Sequence, residues 1–84
     1  MYRWFKLKHS DTYYFDIIRQ NIKKYRKEAG LTQQELADKA GITMNYLSKI
    51  ESQKMNRGFT IVIIGRIADA LEIDIRKLFD PIDK

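Results

Sequence analysis

Residues 30–51 read GLTQQELADKAGITMNYLSKIE, and they carry the clearest local signals in this chain of 84 residues. Thr32 precedes Glu35 by three positions, which is the spacing of a capping box, where hydroxyl and carboxylate each bond an otherwise free backbone N–H. Gly41 can end the helix that starts there, and Thr43 can cap a second helix. The stretch therefore predicts two short helices joined by a glycine turn.

The two predicted helices are amphipathic. Their inward positions are Leu36, Ala37 and Ala40 in the first helix, and Leu47 and Ile50 in the second. The second helix leaves Met44 and the polar side chains of Asn45, Ser48 and Lys49 on its other face. Two helices in this arrangement form a helix-turn-helix, a motif whose second helix lies in the major groove of DNA.

Three further helices are predicted around this unit. Residues 15–29 place apolar side chains on one stripe, at Ile18, Ile22, Tyr25 and Ala29, and Gly30 follows as a left-handed C-cap. Residues 60–71 form a fourth helix whose apolar positions are Ile61, Ile64, Ile67, Ala68 and Leu71. Residues 74–79 form a short fifth helix, capped by Asp74 and stopped by Pro81. Together they predict an all-α, compact five-helix bundle.

Net charge, cysteine count and the length of apolar runs limit the functions that this chain can have. The net charge is +5, and the excess lies in residues 1–30, since residues 31–84 hold equal numbers of acids and bases. A basic balance permits nucleic-acid binding but is weak support alone. The chain has no cysteine, which excludes disulfides and thiolate metal sites and suits a cytoplasmic protein. No apolar run approaches the roughly 18 residues of a transmembrane helix, so no membrane partner is expected.

Residues 1–14 form a basic and aromatic leader, separate from the predicted helical domain of residues 15–84. Arg3, Lys6 and Lys8 suit an arm that enters the minor groove of DNA. The loose alternation of Tyr2 and Trp4 with polar residues also fits a strand that adds to a dimer. A disordered tail and vector-derived residues are further alternatives that stay open at this stage.

Residues 18–79 resemble the Cro/CI-type, or XRE-family, helix-turn-helix regulators. The resemblance is carried by IKKYR at 22–26, GLTQQELA at 30–37, AGIT at 40–43, YLSKIE at 46–51 and IADAL at 67–71. It implies a lambda-repressor-like DNA-binding domain that acts as a homodimer on a pseudo-palindromic double-stranded operator. The chain departs from the family in the loop after the third helix. Gln53 replaces the usual Gly, Arg57 and Gly58 stand where a Pro is common, and the loop is longer than usual.

Nine residues are predicted to bind DNA, and the resemblance supports the roles of Gln33, Asn45, Tyr46, Ser48 and Lys49. Thr43, Met44, Asn45 and Lys49 are expected to read bases, because Asn can pair with adenine, Lys with guanine, and methyl groups can contact thymine. Backbone contacts are expected from Gln33, Tyr46, Ser48, Lys54 and Asn56. The alternatives are a surface role for Gln33, a solvated helix face for Asn45 and Lys49, and a packing role for Met44 and Tyr46.

Three further residues are given expectations other than DNA binding. The resemblance implies that Arg26 pairs with Glu51 inside the fold rather than with DNA. His9 is the only histidine, and with no cysteine or acidic cluster beside it, we expect neither a metal site nor a catalytic base there.

These observations favour a sequence-specific transcriptional regulator, most simply a repressor, with no catalytic activity, cofactor or metal. The apolar tail, which includes Leu78, Phe79 and Ile82, favours a homodimer over a monomer whose core it would complete. An interaction module or antitoxin that holds a protein partner, such as a toxin or regulator, is the alternative. A small enzyme is disfavoured, because the sequence lacks a nucleophile–base pair, a carboxylate pair and a phosphate-binding glycine loop.

Overall fold

The computed structural model describes residues 8–9, 12–52 and 59–81. It contains helices α1 (Tyr13–Glu28), α2 (Gln33–Ala40), α3 (Met44–Glu51) and α4 (Ile61–Leu71), followed by a 3-10 helix at Ile75–Phe79. No strand occurs within these ranges. The all-α fold is confirmed, with the difference that the fifth helix is a single 3-10 segment. Its five residues, between the Asp74 cap and the extended Asp80, make only short i→i+3 turns.

The helix starts follow the capping residues. Thr32 Oγ1 accepts from the backbone N–H of Glu35 at 3.0 Å, and the Thr32 N–H donates to Glu35 Oε1 at 2.8 Å. The predicted capping box is therefore present, and its backbone hydrogen bond is the main reason that the pKa of Glu35 lies below its usual value. Thr43 caps α3 and Thr60 caps α4 through their hydroxyls.

Two glycines allow the chain to reverse direction. Gly30 and Gly41 adopt φ values of 72° and 73°, the left-handed region that only glycine adopts without strain. Gly41 is the C-cap of α2, and its N–H returns to carbonyl groups of that helix. The predicted turn between α2 and α3 is therefore confirmed.

The hydrophobic core lies where the four helices and the 3-10 segment meet. Its completely buried apolar side chains are Ile22, Leu36, Ala37, Leu47, Ile67 and Leu78. Helix α2 packs against α3 and α4, while α1 packs against α3 and the 3-10 helix. The edge-to-face contact of the Phe15 and Phe59 rings, with centroids 5.2 Å apart, joins the start of α1 to the segment before α4.

One buried polar side chain holds the end of the domain in place. Asn21 on α1 is 1% exposed, and its Nδ2 donates to the carbonyl oxygens of Leu78 at 2.8 Å and Asp80 at 2.7 Å. A buried amide is tolerated only when it is bonded, so these contacts fix the 3-10 helix against α1.

Three details differ from the sequence-based expectation. Helix α1 begins at Tyr13, because the carbonyl of Thr12 accepts from the N–H of Asp16 and closes an earlier first turn. Ala29 is exposed at the C-cap, beyond the last residue of α1, and does not extend the buried stripe. Ile61 is 62% exposed, because the first turn of α4 projects beyond the core. None of the helices in the described ranges is long and apolar enough to cross a membrane.

Candidate nucleic-acid interface

The outward face of α3 presents the predicted base-reading residues. Met44 is 43% exposed, and Asn45 and Lys49 are exposed, whereas Leu47 and Ile50 fix the opposite face in the core. Helix α3 is thus held rigidly from behind with polar groups free in front. This arrangement can offer hydrogen-bond donors and acceptors to the edges of bases.

Thr43 sets where α3 begins. Its hydroxyl accepts from the backbone N–H of Tyr46 at 3.1 Å and caps the helix, and Thr43 as a whole is exposed. Tyr46 is half-buried and packs against the core. Ser48, two positions further along α3, is also half-buried. The packing alternative for Tyr46 is therefore realised, and its contact with a sugar-phosphate backbone stays a prediction.

A buried ion pair joins α1 to α3. Arg26 Nε donates to Glu51 Oε2 at 2.8 Å, and Arg26 Nη2 donates to Glu51 Oε1 at 2.9 Å. The side chains are 11% and 2% exposed, and Arg26 also bonds the carbonyl of Leu31 through Nη1. The structure places Arg26 inside the fold, as the sequence reading expected.

Gln33 is part of the same network. Its Nε2 donates to Glu51 Oε1 at 3.1 Å, which positions the amide at the first turn of α2. The second N–H of that amide and the free backbone N–H groups at the helix start can serve an anion. Sequence reasoning did not find the bond between Gln33 and Glu51, because the residues are eighteen positions apart.

Exposed cations occur on each of the described helices. Lys23, Lys24 and Lys27 lie exposed on α1, and Lys24 Nζ is 5.1 Å from the centre of the Tyr25 ring. Lys49 on α3 and Arg66 on α4 are exposed near the helix-turn-helix unit. Lys54 and Asn56, the expected loop contacts, lie outside the described residues.

Arg66 was not singled out from the sequence. Its Nη1 donates to the carbonyl oxygen of Gly41, in the turn between α2 and α3, at 3.4 Å. Nothing in the local pattern of α4 relates it to that turn, since the contact arises only from helix packing. No group of His, Asp and Glu side chains in the described part of the chain is placed to hold a metal ion.

Comparison with known proteins agrees with this geometry. A helix-turn-helix family model matches residues 22–78. The HTH-type transcriptional regulator SinR of Bacillus subtilis is 38% identical over 64 residues, covering 76% of this chain and 57% of SinR. The chain also covers 60% of SinR from Bacillus licheniformis, at 35% identity, so it spans less than two thirds of either relative.

Solved structures show the same fold. The crystal structure of SinR in complex with DNA superposes with a TM-score of 0.68 at 38% identity, covering 75% of this chain and 98% of that one. The restriction-modification controller protein C.AhdI from Aeromonas hydrophila gives a TM-score of 0.71 at 31% identity, covering 77% and 96%. The family model covers more than half of the sequence, and its match spans all of α2, α3 and α4. The chain therefore belongs to the helix-turn-helix family.

Proposed function

We propose that this protein is a DNA-binding transcriptional regulator whose α3 reads base edges in the major groove. The observation that carries the proposal is the exposed polar face of α3, held from behind by Leu47 and Ile50 and capped by Thr43. A reading helix needs both properties, because base discrimination requires side chains to be held at defined positions. SinR, a relative of this chain, has been solved in complex with DNA.

The exposed side chains of α3 are proposed to recognise different bases. Asn45 can donate to and accept from adenine, and Lys49 can donate to guanine. The methyl groups of Met44 and Thr43 can contact a thymine methyl group. All four face outward or sit at the exposed start of the helix.

Phosphate contacts are proposed to set the register of the protein on the duplex. Gln33, at the positive end of α2, is the principal candidate, with Ser48 and Tyr46 on the flanks of α3. Lys54 and Asn56 are proposed to add contacts from the loop that follows α3.

A homodimer that acts as a repressor in the cytoplasm completes the proposal. Two copies would place their α3 helices on half-sites about one helical turn apart, or 34–36 Å. The relatives are regulators rather than enzymes, and this chain is assigned no catalytic step. The ring of His9 is stacked on the ring of Tyr13 at a centroid distance of 3.7 Å.

The test is a selection of random duplex DNA for binding to the purified chain. We expect an enriched site with two-fold symmetry. Asn45→Ala should weaken binding to it by about 1–3 kcal/mol and relax the base preference at one position in each half-site. Gln34→Ala is the matched control, because Gln34 is an exposed amide on α2 that bonds Asp38 at 2.8 Å and lies off the α3 face. Weak binding that shows no site and no response to Asn45→Ala would contradict the proposal.

A second candidate is a module that binds a protein partner. SinR has also been solved in complex with SinI, and this chain exposes Ile61, Val62 and Phe79 at 43–62%. Binding of a partner by a chain that selects no DNA would favour this alternative.

A further inference from the structure

Arg66 lies at the junction between α4 and the helix-turn-helix unit. Its exposed side chain reaches from α4 to the turn residue Gly41, two positions before the N-cap Thr43. The guanidinium therefore stands beside the end of α2 and the beginning of α3. A charge at this point lies next to the surface that the proposed function assigns to DNA.

The surroundings of Arg66 differ from those of the other described arginines. The other three each hold a carboxylate at 2.8 Å: Arg19 with Asp16, Arg26 with Glu51, and Arg76 with Asp74. Arg66 has no ion pair within the described ranges, and the one hydrogen bond found for it goes to a neutral carbonyl. No carboxylate among the described residues therefore pairs with its positive charge.

The bond that Arg66 makes leaves its side chain available. A donor–acceptor distance of 3.4 Å is long for an N–H···O bond, whose usual value is about 2.9–3.0 Å. A guanidinium carries five N–H donors, so one weak bond leaves a fork that can hold two oxygens of a phosphate. The carbonyl groups at the end of α2 favour a cation in this place.

The length of α2 relates Arg66 to Gln33. Gln33 lies at the first residue of α2 and Arg66 lies at its C-cap, and eight residues of helix extend about 12 Å. In helix-turn-helix complexes the helix before the reading helix crosses the DNA backbone. Donors at the two ends of α2 can therefore contact phosphates at separate points along that backbone.

We propose that Arg66 binds a DNA phosphate beside the α2–α3 turn, separate from the phosphate bound near Gln33. The inference rests on the proposed function and adds a contact outside α2, α3 and the loop after α3. Because it concerns the backbone, it contributes affinity and register but no base preference.

The experiment compares Arg66→Gln with Arg76→Gln on the duplex enriched by selection. Both substitutions remove one exposed guanidinium, so they change the net charge equally. Affinity is measured by fluorescence anisotropy over a series of KCl concentrations. Arg66→Gln should weaken binding uniformly across sequences and reduce the slope of log K against log salt by about one unit. Arg66→Lys should retain most of the slope, and Arg76→Gln should match the wild type.

Two outcomes would overturn the inference while the proposed function stands. One is a wild-type salt slope for Arg66→Gln, and the other is an equal loss in Arg66→Gln and Arg76→Gln. Circular dichroism shows whether each variant is folded, and Arg66→Lys tests the site if Arg66→Gln is not. If the wild-type chain binds no duplex, the proposed function fails first and the inference fails with it.

Discussion

Gln33 and Glu51 are joined by a hydrogen bond of 3.1 Å between Nε2 of the amide and Oε1 of the carboxylate. The same oxygen accepts from Arg26 Nη2 at 2.9 Å. The first turn of α2 is thus connected to the last residue of α3 through a buried carboxylate. The amide proposed to meet DNA is therefore oriented by the interior of the protein.

Gln33→Ala should weaken DNA binding more than it lowers stability. Glu51 keeps both bonds from Arg26, so the free energy of unfolding should fall by no more than about 1 kcal/mol. Loss of the oriented amide should reduce affinity for specific and non-specific duplexes alike. Urea denaturation and anisotropy titration measure the two effects, with Gln34→Ala as the control. A stability loss with unchanged affinity would assign Gln33 a structural role only.

Removing either member of the Arg26–Glu51 pair should be strongly destabilising. Arg26→Met or Glu51→Leu leaves one buried charge without its partner, which costs about 3–5 kcal/mol. The double variant removes both charges and should be more stable than either single variant. Equilibrium unfolding of all four proteins gives the coupling energy. A double variant no more stable than either single variant would contradict the expected cost of an unpaired buried charge.

Asp74 should contribute a pH-dependent part of the stability. Hydrogen bonds from the Arg76 side chain and backbone lower the pKa of its carboxyl from 3.8 to about 2. The folded state therefore favours the charged carboxylate of Asp74. The resulting stabilisation is fully present above about pH 4 and is lost as the pH falls through about 2. The difference in unfolding free energy between wild type and Asp74→Asn should shrink over that interval. A constant difference from neutral pH down to pH 2 would disagree with this assignment.

Asn21→Ala should detach the 3-10 helix from α1. The substitution leaves the carbonyl groups of Leu78 and Asp80 without their donor, at a cost of about 1–3 kcal/mol. Amide hydrogen exchange should become faster in residues 75–79 than in α2. Gln20→Ala, at the exposed neighbouring position on α1, is the control and should change little. Unchanged exchange in residues 75–79 would mean that packing of Leu78 alone holds the segment.

Gly65→Ala should stabilise the protein by about 0.5–1 kcal/mol. Gly65 lies inside α4, and a Cβ built there meets no atom within 4 Å, so alanine adds helix propensity without a clash. Gly30 has similar space but a φ of 72°, so Gly30→Ala should be destabilising. Thermal melts of the two variants should therefore shift in opposite directions. A lower melting temperature for Gly65→Ala would contradict the expectation.

The local features of the fold were predictable from the sequence. The capping box of Thr32 and Glu35, the turn at Gly41 and the cap at Thr43 depend on residues close together in the chain. The side chains that form the core of α2 and α3 followed from helical periodicity. The Arg26–Glu51 pair came from the family resemblance, and the structure confirms it.

The contacts between distant segments were not predictable in this way. Asn21 with Leu78, Gln33 with Glu51, and Arg66 with Gly41 are separated by 57, 18 and 25 positions, and each depends on how helices pack. The predicted burial of Ala29 and Ile61 was wrong for the same reason, because burial also depends on how the helices pack. Both fit an apolar period, but the stripe on α1 ends before Ala29 and the first turn of α4 leaves the core. Whether the nine predicted residues bind DNA remains a prediction.

The bonds from Asn21 to Leu78 and Asp80 also bear on how the chain is made. They join residues 57 and 59 positions apart, so α1 lacks these two bonds until Leu78 and Asp80 have left the ribosome. Until then, Ile18 and Ile22 keep part of their apolar surface uncovered and open to chaperones and proteases. Folding of this domain is therefore expected to finish after translation of residue 80, in one cooperative step rather than helix by helix.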